Sequence, residues 1–120
     1  MAARGIILFG HGSRDAQWRR PIEAVAERLA AAEPAAAVRC AYLELMEPDL
    51  PTATQDLVAA GASSITVVPM FLGTGRHARE DLPALVDRLR GRHPGVEFRV
   101  QPAVGEDARV LDLLARIALE

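Results

Sequence analysis

The sequence has no lysine: all 14 of its basic residues are arginine. That excludes a phosphate-cradling P-loop lysine and a Schiff-base lysine, and it leaves anion binding to guanidinium groups. A single cysteine, Cys40, cannot close a disulfide within the chain, and no C-x-x-C pair exists for a zinc ribbon or dithiol redox site. Cys40 lies in an apolar run and reads as a small buried hydrophobe. There is no excess of positive charge either: 16 acidic residues give a formal net charge of -2, which argues against a nucleic-acid binder driven by bulk charge. Long apolar runs are missing. The first, Gly5–Phe9, is too short for a secretory signal, and nothing approaches the ~18 residues a membrane span needs. The expectation is a cytoplasmic protein with no membrane or nucleic-acid partner.

What is present is one domain over residues 1–120, half of it hydrophobic by count. A chain of this size buries roughly two-thirds of its unfolded surface, enough for a core but hardly for a deep enclosed cavity. A small ligand is therefore expected at an edge or between subunits.

Four short apolar runs read as strands: Ile6–Phe9, Val38–Met46, Ile65–Phe71 and, more weakly, Val96–Val100. The first, continuously apolar and bounded by glycine, has the character of a strand buried on both faces. Between and after the runs, apolar residues recur at helical spacing. These are Ile22, Val25, Ala26 and Leu29; Leu82, Leu85, Val86 and Leu89; and Val110, Leu113, Leu114 and Ile117. Each stripe is expected to cover a sheet. Residues 51–60 form a less regular helix, with Gly61 as its left-handed stop and with Pro51, Pro21 and Pro83 near helix starts. The order βαβαβαβα predicts an α/β fold: a flavodoxin-like, four-stranded parallel sheet with helices on both faces.

Ligands of open α/β sheets bind beyond the carboxyl ends of the strands, so the chemistry is expected in the loops 10–17, 47–50, 72–79 and 103–107. The first reads Gly10-His11-Gly12-Ser13-Arg14-Asp15, with Ser13 or Asp15 able to cap the next helix; the third carries Gly75-Arg76-His77. His11 and His77 should project from neighbouring strands into one crevice, as a shared metal or acid–base site. His93 falls on the opposite edge and reads as surface. Glu44 sits in the second apolar run, where a carboxylate is costly unless paired; it is either an ion-pair partner of an arginine or the third member of the site. Glu47 and Asp49 are alternative carboxylates. Two imidazoles and a carboxylate form an open shell for a divalent ion such as cobalt, nickel, iron or zinc, and imidazoles near neutral pH also accept protons. Arg14, Arg76 and Arg79 stand where they could pair with substrate carboxylates or phosphates. Trp18, at the start of the first helix, could stack on a planar ligand or pack.

Taken in order, Gly10-His11-Gly12-Ser13-Arg14, Tyr42-Leu43-Glu44-Leu45 with Glu47-Pro48, Val68-Pro69-Met70-Phe71-Leu72, Gly75-Arg76-His77 and Glu80-Asp81-Leu82-Pro83 resemble the small CbiX-type sirohydrochlorin chelatases, relatives of the class II cobalt and iron chelatases. The resemblance implies a chelatase half-domain that inserts a divalent metal, Co2+ first and Fe2+ or Ni2+ as alternatives, into sirohydrochlorin for cobalamin synthesis. It implies no organic cofactor. By the same resemblance His11 and His77 bind the metal and help remove pyrrole protons, Glu44 shares the cleft, and Ser13, Arg14, Gly75 and Arg76 meet the substrate. Since many class II chelatases carry two such units, it further implies a homodimer. Neutral imidazoles are needed for loading, so activity is expected to fall below about pH 6, near the ordinary histidine pKa. Two other classes compete: a metal or tetrapyrrole carrier without turnover, and a histidine phosphatase with His11 as nucleophile. The latter's motif requires an arginine where this chain has Gly10.

Overall fold

The structure, a computed structural model, describes residues 4–120. Its strands are β1 (Arg4–Gly10), β2 (Ala37–Tyr42), β3 (Ser64–Pro69) and β4 (Glu97–Val100). They alternate with helices α1 (Arg20–Ala32), α2 (Leu50–Ala59), α3 (Arg76–Arg92) and α4 (Ala108–Ala118); short 3-10 turns, Ala16–Arg19 and Val104–Glu106, lead into α1 and α4. All neighbouring strands pair in parallel, in the order β2-β1-β3-β4. This is the flavodoxin-like α/β arrangement that the alternation of strands and helices predicts.

β1 is central, and its side chains serve two cores. Ile7 and Phe9 pack with Leu57 of α2 and Val86 and Leu89 of α3, whereas Ile6 and Leu8 pack with Ile22 of α1. None of these four strand residues is more than 5% exposed. A strand covered on both faces needs a continuous apolar run, and burying each such side chain stabilises the fold by roughly 1.5–3 kcal/mol. Gly61, at φ 97°, ends α2 in left-handed geometry, and Pro21 and Pro51 occupy helix starts, where a missing N–H costs little.

The structure differs from the sequence reading in five places. β2 stops at Tyr42 rather than Met46, because Leu45 turns into left-handed backbone at φ 65° and the Tyr42 amide donates to the Pro48 carbonyl. β3 ends at Pro69, so Phe71 is buried core beyond the strand. Pro83 lies inside α3, which begins already at Arg76; the stripe Ala78, Leu82, Val86 and Leu89 is buried deeply enough to hold the helix through the proline. Cys40 is half-buried rather than buried, and burial raises its thiol above the ordinary range. Finally, α4 does not cover the sheet. None of its residues is buried, and its principal contact is the Val104–Glu106 turn.

Candidate active site

In this strand order the chain turns to opposite sides of β1 when it enters β2 and β3. The crevice beyond β1 and β3 is therefore the switch point where open α/β sheets take their ligands. His11 follows β1 directly, and His77 is the second residue of α3, after β3.

The β1 side of the crevice is fixed by backbone. Gly12 adopts φ 100°, and a Cβ there would stand 1.8 Å from the Glu44 carbonyl oxygen, so no other residue fits. The Leu43 amide donates to the Gly10 carbonyl at 2.9 Å and the Glu44 amide to that of His11 at 3.1 Å, which ties the loop after β2 to the loop after β1. The consequence is the contact at the centre of the site: His11 Nε2 lies 3.1 Å from Glu44 Oε1, with the two side chains 52% and 55% exposed. Glu44 is thus the partner of a histidine, not of an arginine, and as a loop residue it escapes the desolvation cost expected for a mid-strand carboxylate. The His11 ring also meets Phe71 edge-on, with centroids 6.4 Å apart. Downstream, the Ser13 hydroxyl accepts from the Asp15 amide and Asp15 accepts from the Gln17 amide, so both residues shape the turn into α1.

The β3 side is open. Gly73 and Gly75 have no atom within 4 Å of a Cβ position, and Gly75 is the N-cap of α3. His77, exposed on the first turn of α3, shares with His11, Leu43 and Glu44 a cleft of about 440 Å3. The fifth lining residue is Asp81, which the sequence reading did not assign to the site; its signal was available, since it stands one helical turn (i+4) from His77. Among the described residues no three His, Cys, Asp or Glu side chains form a ready-made metal cage. The imidazoles and carboxylates line a cleft without converging on one point.

The remaining candidates divide. Arg14 is exposed beside the His11 loop, and Arg76, 81% exposed, pairs with Glu80 one turn along α3 at 3.0 Å. Arg79 faces away from the cleft, into a groove between α3 and β4. Asp49 is a helix cap: hydrogen bonds from Thr52, hydroxyl and amide, anchor α2 and hold its carboxyl below the usual range. Glu47 is exposed outside the cleft. Trp18 meets Tyr42 edge-on, with centroids 6.1 Å apart, and packs over Gly10. His93 caps the far end of α3 near Phe98, partly buried rather than at the surface.

The family model of CbiX matches residues 5–120 of the chain. The chain belongs to the CbiX family. It is 32% identical over 108 residues to the sirohydrochlorin ferrochelatase of Bacillus subtilis, covering 90% of this chain but 41% of that longer protein. It is 30% identical over 110 residues to the sirohydrochlorin cobaltochelatase of Sulfolobus acidocaldarius, covering 92% of this chain and 85% of the relative. A crystal structure of a CbiX protein from Marinobacter aquaeolei VT8, described as a putative cobalamin biosynthesis protein, superposes with a TM-score of 0.81 at 40% identity, over 97% of this chain and 93% of that one. CbiX-family chains thus occur both at this length and at more than twice it, and the β1 and β3 loops lie within the matched residues here.

Proposed function

We propose that this CbiX-family chain, acting as a single unit over residues 1–120, is a sirohydrochlorin chelatase that inserts a divalent metal, Co2+ first, for cobalamin biosynthesis. The observation that carries this reading is the cleft in which His77 faces a His11–Glu44 pair 3.1 Å apart, at the switch point of the sheet. The names of the two relatives support the reaction class, and they differ in the metal.

Insertion exchanges one M2+ for the two N–H protons at the centre of the macrocycle, so the site must hold a cation and remove two protons. Neutral imidazole nitrogens suit borderline divalent ions and release them, because an open histidine site lacks the grip of a thiolate cage. In this reading His11 and His77 receive the metal and accept the pyrrole protons. Glu44 takes a proton from His11 across 3.1 Å and, being 55% exposed, passes it to water. Arg14 and Arg76 meet the carboxylates of the tetrapyrrole, helped by Ser13 and by the open backbone at Gly75. The cleft lies open at the edge of the sheet, with the His11 and Glu44 side chains about half exposed, so a second copy facing it encloses the macrocycle, and the active form is a cytoplasmic homodimer.

The test is absorbance monitoring of sirohydrochlorin with Co2+, Fe2+ or Ni2+. Wild type is expected to metallate faster than the spontaneous reaction, fastest with Co2+, and His11→Ala is expected to approach the spontaneous rate. Wild type no faster than the spontaneous rate with any metal overturns the reading, and metal binding without turnover makes the protein a carrier. A clear preference for Fe2+ transfers the assignment to sirohaem synthesis.

A further inference from the structure

Two large apolar side chains beside the cleft belong to neither core. Outside α4 and Leu119, the most exposed large hydrophobic residues among those described are Leu45, at 55%, and Leu72, at 67%. Both stand beyond the carboxyl edge of the sheet, in the loops after β2 and β3. Each directly follows a residue of the site: Leu45 follows Glu44, the partner of His11, and Leu72 follows Phe71, which meets the His11 ring edge-on. Since β2 and β3 flank β1, His11 has an exposed leucine on either side.

The backbone holds both leucines in place. Leu45 adopts φ 65°, a left-handed conformation that is unfavourable for a bulky residue and open to glycine or asparagine. The turn itself serves the fold, because it lets Leu43 and Met46 pack against different cores; the leucine side chain between them does not. Hydrogen bonds close this loop at both ends, from the Leu43 amide to the Gly10 carbonyl and from the Tyr42 amide to the Pro48 carbonyl. On the other side the Leu72 carbonyl lies against Gly105, where a Cβ would stand 1.7 Å away, and the Phe71 carbonyl accepts from the Gly105 amide. A fixed backbone that carries apolar side chains into water is a contact surface made ready before its ligand arrives.

We infer that Leu45 and Leu72 are specificity-determining residues that seat the flat face of the tetrapyrrole, one on each side of His11. The loops that carry them follow strands two spacings apart, roughly 10 Å, a span that one aromatic ring cannot bridge and a four-ring macrocycle can. The ligand matches in kind: the face of a tetrapyrrole is apolar and its carboxylates lie at the rim, so the leucines meet the face while arginines meet the rim. Seating the ring on both sides centres its nitrogens over His11, and a displacement of even an ångström or so is costly for the transfer of a metal into the middle of the ring. The inference rests on the proposed substrate but not on turnover, since a carrier of the same tetrapyrrole needs the same seat.

Absorbance titration of the full chain with metal-free sirohydrochlorin tests it. Leu45→Asn and Leu72→Asn are each expected to weaken binding about 10-fold, while equilibrium dialysis with Co2+ alone shows the metal affinity of wild type. Melting curves separate a seat from a structural role: Leu45→Asn suits left-handed backbone better than leucine and is expected to melt no lower than wild type. Unchanged sirohydrochlorin affinity in either variant overturns the inference and leaves the chelatase reading standing. A loss of affinity that comes with weaker Co2+ binding, a lower melting temperature or dissociation of a dimer in sedimentation also overturns it, because the leucines would then serve the fold or an interface between copies. A wild type that binds sirohydrochlorin through both leucines but metallates nothing supports the inference and overturns the chelatase reading alone. A wild type that binds no sirohydrochlorin overturns both.

Discussion

The two sides of the candidate cleft are built on opposite principles. On the β1 side the backbone leaves no freedom: Gly12 is left-handed and lies against the Glu44 carbonyl, and that contact delivers the carboxylate to His11. On the β3 side His77 stands on the first turn of a helix behind glycines with open space around them. On the first side the backbone acts through shape, and a change at Gly12 is felt by the fold. Positions on the second side can change without structural cost, so an effect seen there reports chemistry.

That contrast is sharpest at the glycines. Gly12→Ala adds both a clash and an unfavourable φ; it is expected to lower stability by about 3 kcal/mol, visible as a fall of roughly 10 °C in the melting temperature, and to abolish metallation. A normal melting curve for this variant would show that the β1 loop is not fixed by the contact. His77→Ala comes next, with an expected loss of about 100-fold in metallation rate and an unchanged melting temperature. If stability fell along with rate, the open side would be structural after all. Glu44→Gln keeps the shape but cannot accept the proton from His11; single-turnover rates are expected to fall about 10-fold, with cobalt binding retained in equilibrium dialysis. Gly75→Ala is the counterpart of Gly12→Ala, and calorimetry is expected to show a change within about 0.5 kcal/mol.

The smallest effect is expected at the root of α4. The Arg109 side chain and amide hold the Asp107 carboxyl well down, to about 2 from its ordinary value of 3.8. A carboxyl depressed on folding adds stability above its unfolded pKa and loses it as the pH falls through the folded one. Helix signal from α4, followed by NMR, is therefore expected to hold above pH 4 and to fray between pH 4 and 2. Asp107→Asn should remove that pH dependence, and a wild-type α4 unaffected at pH 2 would count against the cap.

Much of this was legible in the sequence because it depends on local rules. A strand buried on both faces must be continuously apolar, as Ile6–Phe9 is, and a helix must repeat its stripe every three or four residues, as Leu82, Val86 and Leu89 do. Those two rules determined the strand–helix alternation and, with it, the sheet edge that carries His11 and His77. Tertiary structure decided what local rules cannot reach. Glu44 looked like a strand residue until the turn at Leu45 took it into the loop beside His11; Pro83 looked like a helix start because a helix's first residues, Arg76 and His77, need carry no apolar stripe. Asp81 gained its place in the cleft only from the direction in which α3 leaves Gly75. The stripe of α4 shows the limit most plainly. The sequence determined that Val110, Leu113, Leu114 and Ile117 form one apolar face, whereas the path of the chain after Gly105 decided that the face would find no cover in its own sheet. Periodicity fixes which side of a helix avoids water, but only the positions of the other elements decide what it meets.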